Sequence, residues 1–370
     1  MPTAETPKIT ARATDKFNVW VTNHLTHISF DQKILFVHNL YIMIKAGLSL
    51  VAALKILSQQ ISNKRLKTII SEIKEQIEKG RQLSEVLGDY PAVFPPIYVS
   101  MIGAGEVAGK MEEALHQVVT QMKKSRELYS KIRGALVYPA VVLTAMVGIG
   151  IQMVVFVLPK LLVMFDDVGA ELPLSTQILI KIVRFTENHG LLLAAMIIAA
   201  ITGLVWLLKQ PKVKRATHKA NLYLPIAGTI IKKINLASFT LTLSSLLEST
   251  IPIIDAVRIT GSVQTNLTYR EALIHVSEAL KKGVPLSETL AVYPHLFTPM
   301  VVQMIMVGEE SGQVDQMLRE LSEFYGNEVD NTMKNFSTIV EPVIILIMGA
   351  AVAALAVSVI MPMYSLAQNF

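Results

Sequence analysis

The chain repeats itself. Residues 36–139 align with residues 239–342 without a gap, at a constant offset of 203. The match is densest between Gly80–Gly109 and Gly283–Gly312, where 15 of 30 positions are identical, so the two segments share a backbone and not merely a pattern. The shared residues include Gly80, Leu83-Ser84-Glu85, Tyr90-Pro91, Phe94, Pro96, Gly105-Glu106 and Gly109. Opposite them stand Gly283, Leu286-Ser287-Glu288, Tyr293-Pro294, Phe297, Pro299, Gly308-Glu309 and Gly312. The register runs on into apolar sequence, with Pro139 opposite Pro342 and Pro159 opposite Pro362. Any fold for this chain must therefore hold two copies of one unit, each a polar helical stretch followed by a hydrophobic one.

The hydrophobic stretches are long. Gly134–Pro159 carries no charge, Gly190–Leu208 is a charge-free run of 19 residues, and no charged side chain follows Pro342. Each approaches or exceeds the ~20 residues that cross a bilayer, and a core helix of a soluble protein rarely runs so far without a polar face. A composition of 52% hydrophobic and 17% charged residues agrees. Basic residues flank the spans: Lys123, Lys124, Arg126, Lys131 and Arg133 before the first, and Lys209, Lys212, Lys214, Arg215 and Lys219 after the second. Such flanks mark the cytoplasmic side, which places both repeats and the N-terminus in the cytoplasm and the C-terminus in the periplasm. The net charge of +5 is carried by these flanks, so it is not read as a nucleic-acid surface. Residues 1–30 hold no secretory signal. With no cysteine in the chain, a disulfide framework, a thiolate metal site and a cysteine nucleophile are excluded.

The expected fold is an all-α integral membrane protein with two repeated cytoplasmic six-helix bundle domains and three transmembrane helices. After an N-terminal tail (1–30), the boundaries are helical repeat 1 (31–134), a span (135–158), a periplasmic loop (159–189), a second span (190–208), helical repeat 2 (209–338) and a third span (342–361). Asp31 is the expected N-cap of the first helix. Gly47 and Gly80 end helices, and the Leu-Ser-Glu triplets read as helix starts. Tyr90-Pro91 and Phe94-Pro95-Pro96 force a bend. In the second copy Thr250-Ile251-Pro252-Ile253 replaces Gly47-Leu48-Ser49-Leu50.

The Gly-Glu-x-x-Gly motifs at 105–109 and 308–312 read as tight interhelical turns. Glu106 and Glu309 either bond the open amides of the following helix or dock a partner. They are not phosphate loops, because the flanks are helical and no Gly-Lys-Ser/Thr occurs. Tyr90 and Tyr293 belong to aromatic-proline corners, either core packing or a partner-binding edge. Glu341, beside Pro342, is the acid at the mouth of a span, an interfacial residue or a grip on a transmembrane partner. No histidine recurs beside both serines as a triad would need, and no histidine pair has zinc-helix spacing. No enzyme activity, cofactor or metal is expected.

Ala46-Gly47-Leu48-Ser49-Leu50 in the first copy, and Gly80-x-x-Leu83-Ser84-Glu85, Tyr90-Pro91-x-x-Phe94 and Gly105-Glu106-x-x-Gly109 in both, each copy leading to a span, resemble the inner-membrane platform protein of type IV pilus and type II secretion machines (the F-protein/PilC family). Leu158-Pro159 and Glu171-Leu172-Pro173-Leu174-Ser175-Thr176 also look like the family pattern. The resemblance spans residues 31–370. It implies a multi-pass scaffold of the inner membrane that couples a cytoplasmic hexameric assembly ATPase to polymerisation of pilin or pseudopilin subunits. The other implied partners are further inner-membrane assembly proteins, membrane lipid and the chain itself as a homo-oligomer, with no nucleic acid bound directly. A small secondary transporter acting as an oligomer is the alternative, disfavoured because transporter repeats consist of the spans themselves.

Overall fold

The computed structural model describes residues 28–157 and 174–368. Each copy of the repeat forms six helices. The first has α1 (Phe30–Lys45), α2 (Leu50–Gln60), α3 (Lys64–Glu78), α4 (Leu83–Gly88), α5 (Pro96–Val107) and α6 (Met111–Gln152). After α7 (Leu174–Lys209) and α8 (Pro211–Asn221) come α9 (Ala227–Glu248), α10 (Ile253–Val263), α11 (Leu267–Leu280), α12 (Leu286–Ala291), α13 (Pro299–Ser311) and α14 (Val314–Gln368). The last five pairs all start at the same offset of 203, so the duplication in sequence is a duplication of helix boundaries. No strand occurs among the described residues.

The breaks follow local chemistry. Ser29, not Asp31, caps α1. The Gln32 amide donates to Ser29 Oγ (3.2 Å) while the Ser29 amide donates to Gln32 Oε1 (3.0 Å). This reciprocal pair satisfies two open amides where a lone aspartate satisfies one. Asp31 sits in the first turn and receives Arg126 Nε at 2.7 Å instead. At the α1–α2 break Gly47 has φ +85°, and Thr250, its counterpart, holds a left-handed φ of +60°. The closing bonds match: Leu48 N–H to Met43 C=O at 3.0 Å, and Ile251 N–H to Leu246 C=O at 3.1 Å. The replaced sequence therefore keeps the turn, although Ser49 caps α2 with its side chain and Pro252 cannot do so for α10.

Two compact units result. The first joins Met1–Leu128 with Ile231–Gly326, so the bundle portions of both repeats make one body. Its core is duplicated too. Leu54, Ile70, Ile73 and Leu83 are fully buried, as are Val257, Leu273, Val276 and Leu286 at the matching positions. Each such side chain contributes ~1.5–3 kcal/mol of burial. Phe36 packs on Phe94 (centroids 5.8 Å apart) and Phe239 on Phe297 (5.2 Å).

The second unit comprises Tyr129–Ile230 and Asn327–Phe370. It presents apolar side chains outward, among them Val141, Ile149, Leu192, Ile198, Trp206, Leu346 and Val352. Water would not support such a surface, and lipid does. Among the described residues three helical stretches are long and apolar enough to cross a membrane: Met111–Gln152, Ala227–Glu248 and Val314–Ala350. The middle one is more than half buried inside the protein and carries Lys232 and Lys233, so we read it as a core helix. The stretch expected to be the second span, 190–208, lies in α7 just past a break in helical geometry at His189 (φ −131°, ψ 22°). The segment expected to be a loop, 159–189, is helical from Leu174 onward. Residues 158–173, and residues 1–27 of the expected tail, lie outside the described residues.

Candidate functional site

The two Gly-Glu-x-x-Gly motifs each assemble three devices. First is the carboxylate. Glu106 accepts hydrogen bonds from the Leu83 amide (2.6 Å), the Ser84 amide (3.0 Å) and the Ser84 hydroxyl (2.6 Å). Glu309 takes the same three from Leu286 N (2.5 Å), Ser287 N (3.1 Å) and Ser287 Oγ. The Leu-Ser-Glu triplets do open helices, α4 and α12. Neither helix has a side-chain cap of its own, Gln82 and Pro285 making no such bond. The acids thus cap the helix upstream, not the one that follows the turn. The reason is directional: Cα–Cβ bonds tilt toward a helix's N-terminus, so an acid in the last turn of α5 points back toward α4.

The second device is close approach. Helix α5 continues to Val107, so Gly105 is helical and the turn proper is only Ala108–Lys110. A Cβ on Gly105 would lie 2.2 Å from Ala114 Cβ, and one on Gly308 would lie 2.9 Å from Val314 Cα. The third is the left-handed residue that closes the turn, Gly109 at φ +68° and Gly312 at +72°.

Tyr90 lies beside α4 in the first copy. Its carbonyl accepts the amides of Val93 and Phe94 at 2.9 Å each, and Tyr293 does the same for Leu296 and Phe297 at 3.0 Å. The Tyr90 hydroxyl donates to Glu72 Oε2 at 2.7 Å. Partial burial, reinforced by that bond and the charge of Glu72, pushes the phenol pKa up to about 12. The second copy has His275 where the first has Glu72, so this phenol–carboxylate bond belongs to one corner only. Phe94 and Phe297 are core residues. Glu341 is exposed on α14 in the second unit. Four of the five candidate residues therefore fall in two equivalent corners, and the fifth does not join them.

A polar seam between the two repeats escaped sequence reading. Ser245 Oγ donates to Gln121 Oε1 and Ser249 Oγ to Gln117 Oε1, each at 2.6 Å. Gln117 Nε2 donates to the Glu248 carbonyl (3.3 Å). Gln121 is only 2% exposed, so these bonds satisfy groups that would otherwise be costly to bury. The signal was present in the comparison of copies: the second repeat has Ser245 and Ser249 where the first has Ile42 and Ala46.

Among the described residues no group of three His, Asp or Glu side chains gathers as a metal site would require. What the fold and these corners define is a duplicated helical-bundle membrane protein whose matched motifs build structure. The family model described as Type II secretion system, protein F, matches residues 36–159 and again 239–362. The chain is 33% identical over 329 residues to the type IV pilus assembly protein PilC of Myxococcus xanthus, covering 88% of this chain and 78% of that one. It is 31% identical to PilC of Thermus thermophilus (90% and 82% covered) and 30% identical to type II secretion system protein F of Vibrio cholerae (90% and 82%). The chain belongs to the type II secretion system protein F family, which takes in these pilus assembly proteins.

Proposed function

We propose that the chain is the inner-membrane platform of a type IV pilus or type II secretion machine, coupling a cytoplasmic hexameric ATPase to polymerisation of pilin-like subunits. The observation that carries this is the duplication itself. Two bundle units packed as one body are each followed by a long helix with lipid-compatible apolar sequence, in a family whose members are named for pilus assembly and secretion. Continuous helices such as α6 suit the transmission of movement better than loops, because their hydrogen bonds resist bending. The corners around Tyr90 and Tyr293, held in shape by Glu106 and Glu309, are proposed faces for cytoplasmic partners, and Glu341 for a membrane-embedded one. The spans are proposed as 135–158, 190–208 and 342–361, with the N-terminus cytoplasmic and the C-terminus periplasmic.

The test is co-purification of the detergent-solubilised chain with the assembly ATPase from the same gene cluster, and loss of pili or secretion when the gene is removed. A chain that binds no such ATPase and whose loss leaves both processes intact ends the reading. Solute transport by the purified chain alone in liposomes would favour the transporter alternative. Thiol labelling tests the orientation: Cys introduced at the exposed positions Asp89 or Thr265 should react with an impermeant reagent only after the inner membrane is opened. Gln264 is fully buried and unsuited to labelling.

A further inference from the structure

The seam between the repeats is heterologous. Repeat 1 offers the outer face of α5 and α6, and repeat 2 offers α9 and α10, which are equivalent to α1 and α2. Such a contact uses one face of each copy and leaves the other unused. The unused faces are therefore α1 of repeat 1 and the α13–α14 face of repeat 2. Burial confirms this. Gln121 is 2% exposed in the seam, whereas its counterpart Phe324 is 41% exposed; Ile42, the counterpart of Ser245, is 48% exposed. Val307, opposite Ala104, is 50% exposed.

We propose that these two faces bind each other between chains, so that the protein self-assembles head to tail by repeating its own internal seam. Transposing each seam bond by the offset of 203 gives the pairs. Gln121–Ser245 becomes Phe324–Ile42, two large apolar side chains. Gln117–Ser249 becomes Glu320–Ala46. The approach of Gln117 to Glu248 becomes Glu320 beside Lys45, opposite charges on exposed residues. The polar couple that joins repeats within a chain thus becomes an apolar couple bordered by an ion pair, the composition of an intermolecular contact with a dry centre. Exposed Leu35 lies seven residues from Ile42, two turns along the same stripe of α1. A contact of this kind closes into a ring or extends into a filament according to its rotation angle. The inference deepens the self-association within the platform reading by naming its two faces.

The chain has no cysteine, so thiol cross-linking in membranes is free of background. Chains carrying Ile42→Cys and chains carrying Phe324→Cys, with different tags, are co-expressed and treated with a short bis-thiol reagent. Glu113→Cys with Thr250→Cys in one chain, at exposed positions that line one pocket between the two repeats, reports that the reagent spans the internal seam. The expected result is a mixed-tag dimer from the pair and none from either variant alone. Glu320→Lys or Lys45→Glu should cut its yield several-fold, and the two together should restore it. Homotypic dimers, or no mixed dimer while the internal control reacts, would overturn the proposal. Either outcome in cells that still assemble pili or secrete would leave the platform reading standing.

Discussion

Glu106 reaches back 23 residues to accept the Leu83 amide at 2.6 Å, and so joins the end of α5 to the start of α4. The carboxylate serves three donors at once, and the same arrangement recurs at Glu309. Helix α4 has six residues and no cap of its own, so its open amides depend on this acid. Glu106→Ala leaves part-buried donors unsatisfied and should cost ~2–3 kcal/mol. Glu106→Gln, which keeps one acceptor, should cost less. Thermal melting of the full chain in detergent measures both. Equal melting of all three proteins would show that the bonds contribute nothing.

Gly105 and Gly109 share a motif but not a role, and substitution separates them. Gly105→Ala drives a methyl to 2.2 Å from Ala114 Cβ and 3.0 Å from the Lys110 carbonyl, so α5 and α6 must part. A cost of ~1–3 kcal/mol is expected from overpacking. Gly109→Ala meets no atom within 4 Å and suffers only from its φ of +68°, for about 1–2 kcal/mol. Ala114→Gly should recover much of the loss when added to Gly105→Ala and none of it when added to Gly109→Ala. Failure of that rescue would mean that close approach is not what Gly105 provides.

The helices were legible because their determinants are local: Gly80 after Ile73 and Ile77, Ser49 before Leu50, the prolines at 91 and 96. Duplication made them more legible, since a break at Gly80 had to recur at Gly283. What remained hidden depends on direction and on distant chain. That Glu106 faces α4 follows from the backward tilt of helical side chains, yet only the fold brings Leu83 there. Ser245 and Ser249 look like ordinary helix residues until Gln121 and Gln117, more than 120 positions earlier, lie against them. The spans were read from composition, but α9 shows its limit. Its apolar residues suffice for a membrane, and it is buried in protein instead.

Thr250 holds a left-handed conformation that its counterpart Gly47 adopts without penalty. A β-branched residue there carries about 1–2 kcal/mol of backbone strain, partly offset by the entropy that glycine loses on folding. Thr250→Gly should therefore stabilise the chain by ~0.5–1 kcal/mol, and Gly47→Thr should destabilise it by ~1–2 kcal/mol. Thr250 is exposed and its amide bonds to the Leu247 carbonyl at 2.9 Å irrespective of side chain. A rise in melting temperature for the first variant and a fall for the second is the expected pair of results. A fall for Thr250→Gly would mean that the threonine side chain has a contact worth more than the strain.

Alkaline pH should destabilise the fold through the Tyr90 corner. The Tyr90 phenol has its pKa pushed up to about 12, by burial first and then by Glu72, against ~10 in an unfolded chain. Between these values the native state holds a proton that the unfolded state has released, so stability falls as pH rises. The contribution is complete below pH ~10 and gone once pH passes the folded value. Tyr269, whose hydroxyl donates to the Leu296 carbonyl at 2.7 Å, is raised by burial in the same sense and adds to the alkaline loss. Tyr90→Phe should flatten the loss of melting temperature above pH ~10. Glu72→Gln should bring the Tyr90 phenolate on at lower pH, because it removes the carboxylate's charge. Ultraviolet difference titration of wild type against Tyr90→Phe follows that phenolate directly. Ionisation of Tyr90 at an ordinary phenol pKa would show that its bond to Glu72 does not form in the membrane-embedded protein.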